Sequence, residues 1–202
     1  MRATQDLDVL TGQVTSRTSP RSLALALVTM GSVVAVDQLT KAWAQSRLVA
    51  GPCRPDGDEC IDLVLGLRFH LVYNHGAAFS TGTGLGPLFG VIALIMTVVL
   101  LNMARSRVDR FGPLVLGAVA GGAIGNVLDR IFRADDGLLS GAVVDFIDLQ
   151  WWPVFNVADA AVVVGVILFI IRAFFETEPE GDLVTADADT AEATDRAEGP
   201  SG

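Results

Sequence analysis

Apolar residues run along this chain in long blocks, not in short amphipathic stretches. A membrane-crossing helix needs about 20 mostly apolar residues, and four windows are long enough, at about 22–43, 86–104, 111–128 and 154–175. The first meets no charge until Asp37, and the second meets none at all. The third is closed by Asp129-Arg130, and the fourth is interrupted only by Asp159 and Arg172. Between the first two windows, Ile61 to Tyr73 is rich in β-formers with partial alternation, which reads as one or two strands. Val143 to Gln150 is a shorter candidate of the same kind. The pattern predicts a membrane all-α fold: four transmembrane helices over 21–175, with a small β-sheet on the outer surface. Residues 1–20 and 176–202 are polar and carry no apolar period, which predicts disordered ends. A cleaved signal peptide is the alternative for the first window. The apolar run continues past Asp37, and three more windows follow, so a span is the better reading.

Charge refines this picture. Hydrophobic residues make up 51% and charged residues 18%, against about 25% charged in soluble domains. The net charge of −9 is concentrated in 176–202, where nine acids meet the single base Arg196. Residues 1–175 hold 13 bases and 14 acids. A basic nucleic-acid binder is excluded, and no nucleic-acid partner is expected. The short connection between the second and third windows carries Arg105, Arg107 and Arg110, and the first window is preceded by Arg17 and Arg21. Short basic loops stay in the cytoplasm, so both termini are expected there, with the acidic tail a solvated appendage. Arg47, Arg54, Arg68, Arg130 and Arg133 on the outer connections make the bias modest.

Ionisable groups inside spans are costly and are functional candidates by default. At about 1.5 Å per residue, Asp37 lies about 24 Å from Arg21 and Asp129 about 27 Å from Phe111, both on outward-running helices. Asp159 lies only about 6–8 Å below the outer end of an inward-running helix. Three carboxylates on three helices thus reach one layer beneath the outer surface. Asn126-Val-Leu-Asp129 and Asn156-Val-Ala-Asp159 repeat one pattern, and i,i+3 spacing places each Asn on the same helix face as its Asp. Asp37 and Lys41 have ion-pair spacing. Plainer readings remain open: an interfacial helix end with a snorkelling arginine at Asp129-Arg130, a structural ion pair for Asp37 and Lys41, and a turn residue for Asn74.

Two carboxylates in contact share one proton. The ionised one can deprotonate a water that attacks a peptide carbonyl, while the protonated one polarises that carbonyl. No metal or cofactor is needed. His70 and His75 are too few and too scattered for a convincing zinc site, and no Gly-x-Ser-x-Gly motif occurs. Cys53 and Cys60 share an outer loop. Six residues, Pro55 and Gly57 among them, separate the pair, which allows a disulfide on the oxidising side or two free thiols.

Five stretches in order resemble one known family. They are Asp37-Gln-Leu-Thr-Lys41, Asn74-His-Gly-Ala-Ala-Phe79, Gly125-Asn-Val-Leu-Asp-Arg130, Val143-Val-Asp-Phe146 and Phe155-Asn-Val-Ala-Asp159. The family is signal peptidase II, the bacterial lipoprotein signal peptidase, and the likeness covers about 22–175. The resemblance implies an aspartic endopeptidase of the bacterial inner membrane with a small extracytoplasmic β-sheet cradle. Its substrates are diacylglyceryl-modified prolipoproteins, cut before the lipidated cysteine; membrane lipids are the other expected partners, and a monomer is expected although the residues leave the oligomeric state open. It assigns the catalytic pair to Asp129 and Asp159. Supporting roles fall to Asp37, Lys41, Asn74, Asn126, Arg130, Asp145 and Asn156, and Gly76, Ala77, Ala78 and Phe79 match the loop motif. The N-terminal extension, the Cys53–Cys60 loop and the acidic tail lie outside the family pattern. A small proton-coupled transporter using the same carboxylates is the rival reading.

Overall fold

A computed structural model of the chain describes residues 19–53, 60–76, 85–106, 109–134 and 137–175. The expectations for 1–18, for the loop 54–59, for the tail 176–202 and for Ala77, Ala78 and Phe79 lie outside the described residues. Among the described residues there are four helices: α1 (Pro20–Arg47), α2 (Gly86–Arg105), α3 (Phe111–Phe132) and α4 (Val157–Phe175). All four are long and apolar enough to cross a membrane, as the hydropathy pattern predicts. By contact the chain forms two compact units, 1–169 and 170–202. In the second, residues 170–175 are the last turns of α4.

The helix ends follow from local chemistry. Ser19 caps α1, its Oγ accepting from the Ser22 N–H at 3.4 Å, and Pro20 sits at the first helical position, where its missing N–H costs nothing. The Ser19 N–H donates to the carbonyl of Arg105 at 2.8 Å, joining the start of α1 to the end of α2. Ala26, Ala104 and Leu116 pack together at this end, with Leu100, Met103 and Phe169 against them.

α3 is the central helix, and its glycines set the spacing. Gly117, Gly121 and Gly125 recur every fourth residue, the small-residue pattern that lets membrane helices approach closely. A methyl group on Gly121 would lie 2.8 Å from the Met30 carbonyl oxygen and 2.8 Å from Val33 Cβ. One on Gly125 would lie 2.6 Å from Asp37 Oδ2. On the neighbouring face, Gly122 admits the backbone of Ala158 on α4. Side-chain bulk would push α1 and α4 off α3.

Three antiparallel strands, β1 (Cys60–Asp62), β2 (Arg68–Asn74) and β3 (Val143–Asp148), form one sheet in the order β1-β2-β3. Ile147 of β3 also bridges to Phe155, which holds 153–156 extended and delays the start of α4 to Val157. The sheet packs where α1 ends: Ala44 and Leu48 bury against Leu71, Val144 and Phe146. Trp43 stands edge-on to Phe69 at 5.0 Å. Cys53 and Cys60 are joined by a disulfide, which fixes the edge strand to the chain leaving α1.

Because α3 touches its neighbours backbone to backbone, Gly121→Val should destabilise the bundle by about 3 kcal/mol, the upper end for overpacking. Gly31→Ala, with open space around its Cβ position, should leave stability unchanged or raise it. Thermal unfolding of the two variants in one detergent checks the contrast, and equal melting temperatures would count against close α1–α3 packing.

Candidate active site

Two groups of carboxylates meet where α1, α3, α4 and β3 converge. The first surrounds Lys41, which is fully buried. Its Nζ lies 2.9 Å from Asp37 Oδ2 and 2.8 Å from Asp129 Oδ2, and it donates to Asn126 Oδ1 at 3.0 Å. The remaining oxygens are also met. Asp37 Oδ1 accepts the Ala158 N–H at 3.0 Å, from the first turn of α4. Asp129 Oδ2 accepts the Val144 N–H at 3.1 Å, and its Oδ1 accepts from Arg133 Nε at 3.3 Å. Gln38 Nε2 reaches Asp37 Oδ2 at 3.1 Å and Asp129 Oδ1 at 3.3 Å. This group is a closed knot tying α1 to α3, α4 and β3.

The second group lines a cavity of about 890 Å³. Asp145 of β3 and Asp159 of α4 both face it, with Asn74, Asn126, Trp151, Trp152 and Val162 among its walls. Asp159 accepts from Asn126 Nδ2 at 2.8 Å and from the Asn156 N–H at 3.2 Å. The Asp159 N–H in turn donates to Asn156 Oδ1 at 3.0 Å, a reciprocal capping box that starts α4. Asn156 Nδ2 donates to Asp145 Oδ1 at 2.7 Å, and Asn74 Nδ2 to Asp145 Oδ2 at 3.1 Å. Burial, then the neighbouring Asp159 charge, push the Asp145 carboxyl up to about 7, although Asn74, Asn156 and Lys41 favour its ionised form.

The resemblance assigns the pair to Asp129 and Asp159, and the geometry puts a different carboxylate opposite Asp159. Asp129 is 1% exposed and is absent from the cavity wall. Its oxygens are taken by Lys41, Arg133, Gln38 and Val144, so no face is left for a water. The residue that meets Asp159 at the cavity is Asp145. The reason is the length of α3, which continues a turn past Asp129 to Phe132 and keeps that carboxylate inside the bundle. Arg130 does not snorkel. Its Nη2 donates to the Gly76 carbonyl at 2.8 Å, while Nη1 is buried with no hydrogen-bond partner among the described residues.

The two Asn-x-x-Asp stretches also diverge. In α4 the pair is a helix cap. In α3, Asn126 turns away from Asp129, toward Asp159, Lys41 and Asn156. Asn74 closes a turn, its Oδ1 accepting the Gly76 N–H at 3.1 Å. Gln38 adds a site residue from inside the Asp37–Lys41 stretch that the motif's charged ends do not single out, its amide linking Asp37 to Asp129. Away from the cavity, Cys53, Cys60 and His70 gather within 4.8 Å. The two sulfurs are bonded to each other, so the trio offers one nitrogen ligand.

Four membrane-crossing helices and a paired-carboxylate cavity beside a small sheet define a multi-pass membrane protein with a hydrolase-like site. Residues 29–175 match the family model for signal peptidase II. The chain belongs to that family of membrane peptidases. It is 41% identical over 158 residues to the lipoprotein signal peptidase of Rhodococcus jostii, covering 78% of this chain and 76% of that one. It is 42% identical over 157 residues to the lipoprotein signal peptidase of Mycobacterium avium, covering 77% and 82%. Among solved structures, it resembles a bacterial membrane enzyme solved by the in meso method at 2.3 Å resolution. The TM-score is 0.63 and the identity 26%, over 78% of this chain and 93% of that one. A second such structure, at 1.9 Å resolution, gives a TM-score of 0.61 and 28% identity, over 75% and 94%.

Lys41→Met keeps the stem and deletes the ammonium, leaving Asp37 buried without its counter-ion and Asp129 with Arg133 alone. A loss of about 3–5 kcal/mol is expected. Thermal unfolding in detergent measures it, and an unchanged melting temperature would show that the knot contributes nothing to the fold.

Proposed function

We propose that this chain removes signal peptides from diacylglyceryl-modified lipoprotein precursors, cutting before the lipidated cysteine, with Asp145 and Asp159 as the catalytic pair. The observation carrying this reading is the cavity: the buried carboxylate of Asp145 and the half-buried one of Asp159 share it with apolar and aromatic walls. The named function of the curated relatives supports the choice of substrate.

The pair shares one proton. The ionised carboxylate takes a proton from a water, whose oxygen attacks the scissile carbonyl. The shared proton polarises that carbonyl and then passes, through the pair, to the leaving amine. Asn74, Asn126 and Asn156 hold the carboxyl planes in place. Asp129, with Asp37 and Lys41, is a positioning residue that fixes Asn126 and the start of α4. Arg130 and Gly76 shape the loop beside the site. Val162, Val163, Trp151 and Trp152 supply apolar surface for the signal helix and acyl chains, binding energy remote from the cut bond.

The chain works as a monomer in the bacterial inner membrane, both termini in the cytoplasm and the sheet outside. A proton-coupled transporter needs its carboxylates near the midplane with access from both sides. Here one member of the pair is on a strand and the other in the first turn of a span, which favours peptide hydrolysis.

Asp145→Asn and Asp159→Asn keep size and remove titration. Each is expected to lower turnover of a lipidated precursor by at least about 10²–10⁴ per folded molecule. Asp129→Asn should act through the knot, lowering the melting temperature. Its residual turnover should keep the wild-type pH profile. Near-wild-type turnover in either cavity variant would remove that residue from the pair.

The pH profile gives a separate test. Asp145 holds its proton up to about 7, so turnover should fall as pH rises through that value and the shared proton is lost. Asn74→Ala deletes a donor that favours ionised Asp145. Ionisation then needs a higher pH, and the alkaline limb should move upward. A limb that stays in place or moves down would contradict Asp145 as its source.

A further inference from the structure

The turn joining β1 to β2 breaks a local rule. Between Asp62 and Arg68 the chain reads Leu63-Val-Leu-Gly-Leu67, without a polar side chain. The Leu67 N–H donates to the Val64 carbonyl at 3.2 Å, and Leu65 and Gly66 have φ of 59° and 78°. Two left-handed central residues make the hairpin turn that favours Asn-Gly or Asp-Gly. Leucine carries a steric cost in that region, and turns ordinarily present polar residues. Yet Leu65 is fully exposed, at 103%, and Val64 is at 76%.

A second feature stands beside it. Gln150 Nε2 donates to the Gly66 carbonyl at 2.9 Å. Gln150 is itself left-handed, at φ 66°, and its N–H is held by Asp148 Oδ1 at 2.6 Å. The next residues are Trp151 and Trp152, 77% and 52% exposed, with rings edge-to-face at 5.9 Å. They lead directly into α4, which begins at Val157. Exposed tryptophans flanking a span belong to the membrane–water interface. Charged groups stay at the base of the hairpin, where Arg68 pairs with Asp148.

We propose that the Leu63–Leu67 turn is a lipid-docking tip, inserted into the leaflet on the sheet's side of the membrane. The occupant is the bilayer that the four helices already cross. The Gln150–Gly66 bond is the argument for lipid over a protein partner: Trp151 and Trp152 cannot sit at the interface without bringing the turn to the same level. The apolar tip then continues the lipid-facing surface of the bundle. Its left-handed leucine is a cost accepted so that an apolar side chain points away from the sheet. This docking would hold the sheet flat on the membrane, with the Trp151–Trp152 wall of the cavity opening at lipid level.

The test uses full-length protein with its disulfide intact, in liposomes of phosphatidylethanolamine and phosphatidylglycerol. A nitroxide is attached at Leu65→Cys, at Val64→Cys as a second tip position, at lipid-facing Ile95→Cys and at Ser106→Cys beyond the end of α2. Power saturation compares contact with oxygen, which partitions into lipid, and with a water-soluble nickel chelate. Both tip labels are expected to favour oxygen severalfold over nickel, as the Ile95 label does and the Ser106 label does not. Tip labels matching Ser106 would overturn the proposal. So would spin–spin broadening at the tip that disappears on dilution with unlabelled protein, which assigns it to a second copy. A lipid-like value reached only after a lipidated precursor is added would give the tip to the substrate and overturn it too.

Discussion

A single buried ammonium organises this molecule. Lys41 has no water to solvate it, so the fold must bring oxygens to it, and they come from α1 and α3. Burying Lys41 between two carboxylates leaves one negative charge over, which Arg133 meets from the end of α3 by pairing with Asp129 at 3.3 Å. The other oxygens accept from donors which cannot move away: backbone N–H groups of α4 and β3 at Asp37 and Asp129. Isolated buried ion pairs are poor sources of stability. Here the pair specifies register instead, because each remaining oxygen accepts from a different element.

The knot also explains why the site next to it is orderly. Lys41 holds Asn126 by its carbonyl oxygen, so the amide nitrogen of Asn126 must face Asp159. Asn156 Nδ2 donates to the same oxygen at 3.1 Å and fixes the same orientation. The charge is thus kept one residue away from the cavity, where it orients a donor without neutralising the carboxylates.

The bundle was legible in the chain because membrane helices announce themselves by unbroken apolar length, and no packing detail can hide that. The end of α3 was not. Asp129-Arg130 interrupts hydropathy in the same way whether the helix stops or a partner waits inside, and that partner, Lys41, lies far away in sequence. The Asn-x-x-Asp repeat was seen but not separable into its two uses, since a capping box and a mid-helix face share one spacing. Only the chain before Asn156, held extended by the Ile147–Phe155 bridge, decides between them. Asp145 was recognised as a supporting residue, but not as the carboxylate that meets Asp159. Depth counted along helices has no value for a residue on a strand. A lone acid between Val144 and Phe146, both buried, was the available signal.

Asn156 does two jobs with one side chain: its oxygen starts α4, and its nitrogen holds Asp145. Fraying of that first helical turn therefore takes the carboxylates out of alignment in the same motion. Completion of the helix and alignment of the two cavity carboxylates are one event. The order of the site is a by-product of where a helix begins.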